Sequence, residues 1–322
     1  MAEERTAEWL KGERRCVIAP DDTAYPGLLS DIKGAPDALY VAGNADALAL
    51  PGIAIVGSRN PTRGGLDTAF RFAKHLADAG FVIVSGLAEG IDTAAHEGAL
   101  DAGGRTIAVL GHGPDTVYPA SNRDLAGRIA CDGAIVTEYP PGAPPQRRHF
   151  PERNRIISGL ALGTLVVEAA RQSGSLITAR HAGDQGREVF AIPGSIHNPL
   201  SRGCHQLIRQ GARLVESADD IFAELAPLID HFVAAAGIGE AAAELAEGDT
   251  HSTTKNLDED YVRLLDTMGF DAISADEIAR KSTLTIEQVS SMLLILELEG
   301  EIESLPGGKF SKLSNRDRHL GR

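Results

Sequence analysis

The chain has 322 residues, 43% hydrophobic and 24% charged, with a formal net charge of -14. That balance excludes a disordered chain, which needs low hydrophobicity with high net charge, and the length suits one large domain plus a smaller one at roughly 100–200 residues each. Three widely spaced cysteines, Cys16, Cys131 and Cys204, with no CxxC pair, exclude a disulfide scaffold and imply no structural zinc site.

The chain opens on Met-Ala-Glu-Glu-Arg, acidic where a signal peptide is basic. Residues 1–50 are expected to form a short N-terminal extension packing on the core. From residue 53 short apolar runs recur: 53–56, 81–84, 106–110, 134–136, 164–167, 189–192 and 213–215. Each of the first six ends in glycine or small polar residues, or at Glu168. Runs of this length suit strands buried on both faces of a parallel sheet. Helical periods lie between them, as in Leu66, Phe70, Phe72, Ala73, Leu76 and Ala77 before Gly80, and Ala94, Ala95, Ala99 and Leu100 before Gly103. The alternation predicts an α/β fold, an extended Rossmann-like doubly wound, mostly parallel sheet over 51–230, with ligands at the carboxyl ends of its strands. The most apolar stretch, 156–170, carries Ser158, Gly159, Gly163, Thr164 and Glu168, and falls short of the about 20 residues of a membrane span. A cytoplasmic protein without membrane association is expected.

Residues 231–256, rich in Ala, Gly and Glu, predict a linker. Within 257–322, Tyr261, Leu264, Leu265 and Met268 form a helical stripe. Ser274-Ala-Asp-Glu277 is a capping box, and Ile286, Val289, Met292, Leu293 and Leu296 line a longer helix. A hairpin around Pro306-Gly-Gly completes a small C-terminal winged-helix pattern. The candidate recognition helix, 285–299, has no Lys or Arg, and 257–322 holds 8 basic against 13 acidic residues, which opposes docking on DNA.

The acid excess lies outside the middle of the chain. Residues 51–220 hold 17 basic and 17 acidic residues, and every basic one except Lys74 is Arg. Arginine suits bidentate phosphate contacts, although a GC-rich genome produces the same excess, so composition leaves both readings open. Gly57-Ser58-Arg59-Asn60 leaves the first strand without the G-x-G-x-x-G of a dinucleotide site. No cofactor is expected, and Arg59 beside a helix start points to an anion site. The run 144–155 holds Arg147, Arg148, Arg153 and Arg155 with Phe150 and Asn154 against the single acid Glu152. Arginines with an interleaved aromatic suit a single nucleic-acid strand, one gripping phosphates and the other stacking a base, while a solvated helix face with Phe150 in the core is the plainer reading. Ser173-Gly174-Ser175 opens another helix and offers backbone donors and hydroxyls as a phosphate cradle. No metal or nucleophile constellation stands out. Gly163-Thr-Leu-Val-Val-Glu168 is similar to the G-T-x-x-E run of nucleotide N-ribohydrolases of the lysine-decarboxylase-like group, with a spacing one residue longer and no preceding Pro-Gly-Gly. That alternative would use Glu168 and Arg155.

Further runs carry a family resemblance: Ile55-Val-Gly-Ser-Arg59, Val84 to His96, Tyr118-Pro119 with Asn122, Phe150 to Ile156, Ser173 to Ala179, and Ala191-Ile-Pro-Gly194. With Tyr25-Pro26 and Leu39-Tyr-Val41 upstream, the chain from about Tyr25 to Val215 resembles the DNA-processing protein A (DprA/Smf) family. The resemblance implies a non-enzymatic protein that binds single-stranded DNA, helps load the RecA recombinase in natural transformation, and forms a homodimer. It also implies that Arg59, Arg147 or Arg148, and Phe150 are site residues. The N-terminal sterile-alpha-motif or helix-hairpin-helix module of many members is expected to be absent, since few residues precede the match.

Overall fold

The computed structural model describes residues 2–236 and then 264, 267–268, 273–282, 285–286, 289, 292–293, 296, 302–305 and 309–312. The chain divides into two compact units, Met1–Gly248 and Asp249–Arg322.

The first unit is built on one nine-stranded sheet. Seven strands come from the predicted apolar runs: β3 (Gly52–Gly57), β4 (Val82–Ser85), β5 (Thr106–Val109), β6 (Ala134–Thr137), β7 (Gly163–Val167), β8 (Glu188–Ala191) and β9 (Arg213–Leu214). They are mutually parallel, in the order β6-β5-β4-β3-β7-β8-β9. The order reverses at β3: the chain winds outward to β6 and returns on the other side as β7. In such sheets the crevice at the carboxyl ends beside the reversal takes the ligand.

The N-terminal extension is woven into this sheet. Strands β1 (Arg15–Ile18) and β2 (Leu39–Gly43) form an antiparallel pair, and β2 runs antiparallel to β6, with Tyr40 opposite Thr137 and Gly43 opposite Ala134. The sheet is therefore mixed at this edge and parallel elsewhere.

Helices α1 (Ala2–Trp9), α2 (Gly27–Ser30), α3 (Arg63–Asp78), α4 (Ile91–Asp101), α5 (Arg123–Asp132), α6 (His149–Gly159), α7 (Ser175–Asp184), α8 (Ser201–Arg209) and α9 (Ala218–Ala236) complete the unit. Alternate residues of β3 enter two cores. Ile53 and Ile55 join Ala69, Ala73, Leu76, Ile91 and Ala95 on one face. Ala54 and Val56 join Leu39, Val41, Ile156, Ile157 and Leu160 on the other. Period-2 alternation buried on both sides explains why β3 to β7 read as unbroken apolar runs, whereas β8 is half-buried and β9, at the sheet edge, is exposed at both residues. Leu66, predicted on the buried stripe of α3, is 37% exposed, because it lies in the first turn, beyond the edge of that core. The predicted linker start at 231 falls inside α9, and 237–256 lies outside the described residues.

The second unit has a three-stranded antiparallel sheet of order β10-β12-β11, from β10 (Ile273–Ser274), β11 (Ile302–Leu305) and β12 (Lys309–Lys312). The helix Ala275–Ser282 is capped as its box predicts, with the Glu277 backbone N–H donating to Ser274 Oγ at 3.4 Å. Leu264, Met268, Ile278, Val289, Leu293, Leu296 and Ile302 form its core. Ile286, expected among them, is 41% exposed. The turn at 306–308 and Arg316, Arg318 and Arg322 lie outside the described residues. Among the described residues no helix is long and apolar enough to cross a membrane.

Candidate nucleic-acid interface

A cleft opens beyond the carboxyl ends of β3, β4 and β5. The turn after β3 carries Arg59 and is held on two sides. Ser58 N–H donates to the Glu168 carbonyl at 2.8 Å, and Ile91 N–H donates to the Ser58 carbonyl at 3.1 Å. This approach requires a glycine at position 90. Gly90 has φ +83°, and a Cβ there would fall 2.5 Å from the Ser58 carbonyl oxygen and 2.7 Å from that of Arg59. Ser58 Oγ accepts from the Asn60 backbone at 3.1 Å, closing the turn and leaving Arg59 and Asn60 exposed.

The opposite wall comes from α6. The Phe150 ring is half-buried, with the Arg59 guanidinium 5.8 Å from its centroid and the Tyr118 ring 5.6 Å away. Tyr118 is 49% exposed. Two aromatic faces and an exposed guanidinium thus share one cleft, which Glu89 and Pro119 also line. Cation–π spacing of about 6 Å keeps Arg59 over the ring without neutralising it. Arg147 and Arg148 are exposed on the turn that leads into Phe150.

Arg153, expected among the arginines that hold phosphates, is placed differently from Arg59. Its side chain is buried, 4% exposed, under the cleft. Nη1 donates to the Gly86 carbonyl at 2.8 Å and to the Val109 carbonyl, and Nε donates to Asn154 Oδ1 at 3.1 Å. The guanidinium therefore ties the ends of β4 and β5 to α6, with its carbon 6.0 Å from the Phe150 ring centroid. Asp92, also buried, accepts from the Gly86 and Ala88 backbone N–H groups at 3.1 and 3.4 Å. Burial pulls Arg153 down to about 10, with Asp92 opposing the shift, so it stays cationic at neutral pH. Burial pushes the Asp92 carboxyl up, and Arg153 pulls it back. Gly86 is required here because a Cβ would meet the Arg153 guanidinium and lie 2.8 Å from Asp92 Oδ2.

Two histidines complete the floor. His96 Nδ1 donates to Thr106 Oγ1 at 2.7 Å, whose hydroxyl donates to the Ile83 carbonyl at 2.6 Å. Its burial, with Arg153 adding to the effect, holds it down to about 3. His112 lies under Tyr118, ring centroids 6.5 Å apart, and burial lowers it too.

The remaining predicted residues fall away from the cleft. Arg155 forms a two-pronged pair with Glu138, at 3.2 and 2.5 Å, which occupies the charge expected for a phosphate. Asn154 is buried and donates to the Gly174 carbonyl at 3.4 Å. Ser173 and Ser175 satisfy one another, Oγ to Oγ at 2.7 Å, and Ser175 N–H donates to Ser173 Oγ at 3.3 Å. Gly174 between them is exposed and precedes α7. Glu168, at φ +53°, accepts from Thr62 N–H at 2.7 Å and Thr62 Oγ1 at 2.6 Å, and from Asn198 Nδ2 at 3.4 Å. It anchors the start of α3 to the end of β7.

Sequence reasoning missed Tyr118 as an exposed ring beside Phe150, Asp92 as a floor residue and Glu89 as part of the wall. The buried position of Arg153 had a readable signal. His149, Arg153 and Ile157 recur at i, i+4 and i+8 on the buried side of α6.

A family model described as DNA recombination-mediator protein A matches residues 16–226, and one described as DprA winged helix domain matches 249–308. The DNA processing protein DprA of Streptococcus pneumoniae strain R6 is 51% identical over 203 residues, 63% of this chain and 72% of that protein. Protein Smf of Escherichia coli K12 is 41% identical over 302 residues, 93% of this chain and 78% of its own length. The X-ray structure of the S. pneumoniae protein superimposes with a TM-score of 0.64 at 48% identity, covering 68% of this chain and 77% of that one. The DNA processing protein A of Helicobacter pylori, described for its single-stranded DNA binding mode, gives a TM-score of 0.60 at 29% identity, covering 66% of this chain and 96% of that one. Matches of this extent, on a sheet that reverses beside an arginine-and-aromatic cleft, establish that the chain belongs to the DNA-processing protein A (DprA/Smf) family.

Proposed function

We propose that this protein binds single-stranded DNA in the cleft beyond β3, β4 and β5 and acts as a recombination mediator. One observation carries the reading: an exposed Arg59 guanidinium set over the half-buried Phe150 ring, with the exposed Tyr118 ring beside it. Such a site takes unpaired bases by stacking and their phosphates by charge. Arg147 and Arg148 extend the positive rim. The family further supports delivery of the strand to the RecA recombinase in natural transformation, action as a homodimer in the cytoplasm, and a role without catalysis or cofactor. The N-ribohydrolase alternative has less support, because Glu168 accepts hydrogen bonds from Thr62 and Asn198 and Arg155 pairs with Glu138.

The test is binding of the full chain to single- and double-stranded oligonucleotides at two salt concentrations. Single strands are expected to bind tighter, with a log–log salt slope of about -0.7 per phosphate contact. Arg59→Ala should shallow that slope, and Phe150→Ala should cost about 1–3 kcal/mol with the slope unchanged. Equal affinity for a blunt duplex, or release of free base from a nucleoside monophosphate, would replace this reading.

A further inference from the structure

Glu89 is the acid that lines the cleft, alongside Arg59, Tyr118, Phe150 and Arg153. A carboxylate repels phosphate, so its place in a cleft made for a polyanion calls for a positive reason. It is held there. Ser121 Oγ donates to Glu89 Oε1 at 2.9 Å. The loop that supplies Ser121 is itself fastened to the Glu89 turn, because Asn122 Nδ2 donates to the Leu87 carbonyl and to Thr93 Oγ1, both at 2.9 Å. The same loop carries Tyr118, so the carboxylate and one stacking face are set by a single piece of backbone. Among the described residues Glu89 Oε2 has no protein donor, and the group presents an open acceptor to whatever enters.

A base in a single strand has its pairing edge free. A carboxylate accepts from the cytosine N4 amino group, whereas uracil and thymine place the O4 lone pairs at that position. Charge-assisted hydrogen bonds of this kind are roughly twice as strong as neutral ones. We infer that Glu89 makes the cleft selective among bases: its carboxylate accepts a hydrogen bond from the exocyclic amino group of a base stacked on Phe150 or Tyr118, favouring cytosine over uracil and thymine. This rests on the reading of the cleft as a single-strand site. A carboxylate that only repels phosphate would weaken every sequence equally, and a solvated rim carboxylate would affect none.

The experiment compares oligo-dC with oligo-dU of equal length, on the full chain, at one salt concentration above neutral pH. Uracil lacks the thymine methyl, so the two differ only at the edge Glu89 would read. The wild type should bind oligo-dC about fivefold tighter. Glu89→Ala should bring the two affinities together and raise that for oligo-dU. Glu89→Gln, whose amide both donates and accepts, should also equalise them. A preference that survives Glu89→Ala, no preference in the wild type, or an equal gain for both strands in Glu89→Ala overturns the inference. Failure of the wild type to bind any single strand removes the underlying reading instead, and the two failures are told apart by that one measurement.

Discussion

Two places at the carboxyl edge of the same sheet read alike in the sequence: the Arg59 turn with Phe150, and the Ser173-Gly-Ser175 turn near Glu168. Both put small polar residues beside the start of a helix. In the structure they differ in what their polar groups still have to offer. At the first, Arg59 stays exposed over an aromatic ring while buried Arg153 and Asp92 secure the backbone beneath it. At the second, the two serine hydroxyls bond each other, and Glu168 accepts from Thr62. A helix start becomes a candidate binding site through what its neighbours leave unsatisfied. Here the exposed charge, Arg59, is not the group that carries the structural load, which falls to Arg153 and Asp92.

That division of labour is broken most severely at the floor. Arg153→Met would leave Asp92 buried without its cation and the Gly86 and Val109 carbonyls without their donor. Removing one member of a buried charged network typically costs about 3–5 kcal/mol, and urea denaturation at neutral pH should show a loss of that size. Arg147→Met, on the exposed rim, should fall within about 0.5 kcal/mol. Adding Asp92→Asn to Arg153→Met should return part of the loss, since the stranded charge disappears. Equal stability of the two single variants would show that the floor carries no load.

The same floor should make the fold sensitive to acid. His96 titrates near 3 in the folded protein against 6.5 as its ordinary value. Above pH 6.5 it is neutral in both states and stability is unaffected. As pH falls below 6.5 the unfolded chain takes up a proton that the folded one refuses, and stability falls until about pH 3. One such group costs about 1.4 kcal/mol per pH unit, or about 2 kcal/mol by pH 5. His112, lowered in the same direction, adds to this, while Asp92, raised by burial, acts in the opposite sense. Denaturation of wild type and His96→Gln at pH 7 and pH 5 isolates the His96 share, because the other two groups are common to both. A wild-type loss that His96→Gln does not reduce would place the acid sensitivity elsewhere.

The sheet was legible because β3 to β7 are buried strands, and β8 a half-buried one, whose apolar runs end in small or polar residues or at Glu168. Strands β1 and β2 were not: in β1 only Ile18 is buried and Arg15 is exposed, and in β2 buried Leu39 and Val41 alternate with half-buried Tyr40 and Ala42. At the site, Arg59 and Phe150 could be read from type and position, but composition gives Arg147, Arg153 and Arg155 the same charge. Their separate fates depend on the phase of α6 against the sheet, and on Glu138, which reaches Arg155 from the end of β6. Tyr118 comes beside Phe150 only when its loop folds toward α6, a long-range contact no local pattern encodes.

The smallest expected effect is the sharpest check on the comparison. If the Ser173 turn is a closed piece of structure and not a phosphate cradle, Ser173→Ala and Ser175→Ala should each change single-strand affinity by less than about twofold, near 0.4 kcal/mol. The salt slope should also stay that of the wild type, because no phosphate contact is lost. Either substitution removes the hydroxyl pair at 2.7 Å. Ser175→Ala leaves Ser173 Oγ its bond from the Ser175 backbone N–H, so the α7 start keeps a partner and little folding stability is at stake. Arg59→Ala, measured beside them, must shallow the slope for the contrast to stand. Should a serine variant lose about tenfold, or shift the slope by the amount of one phosphate, the hydroxyls must open toward the strand on binding, and the cleft would extend across β7 to a second anion site.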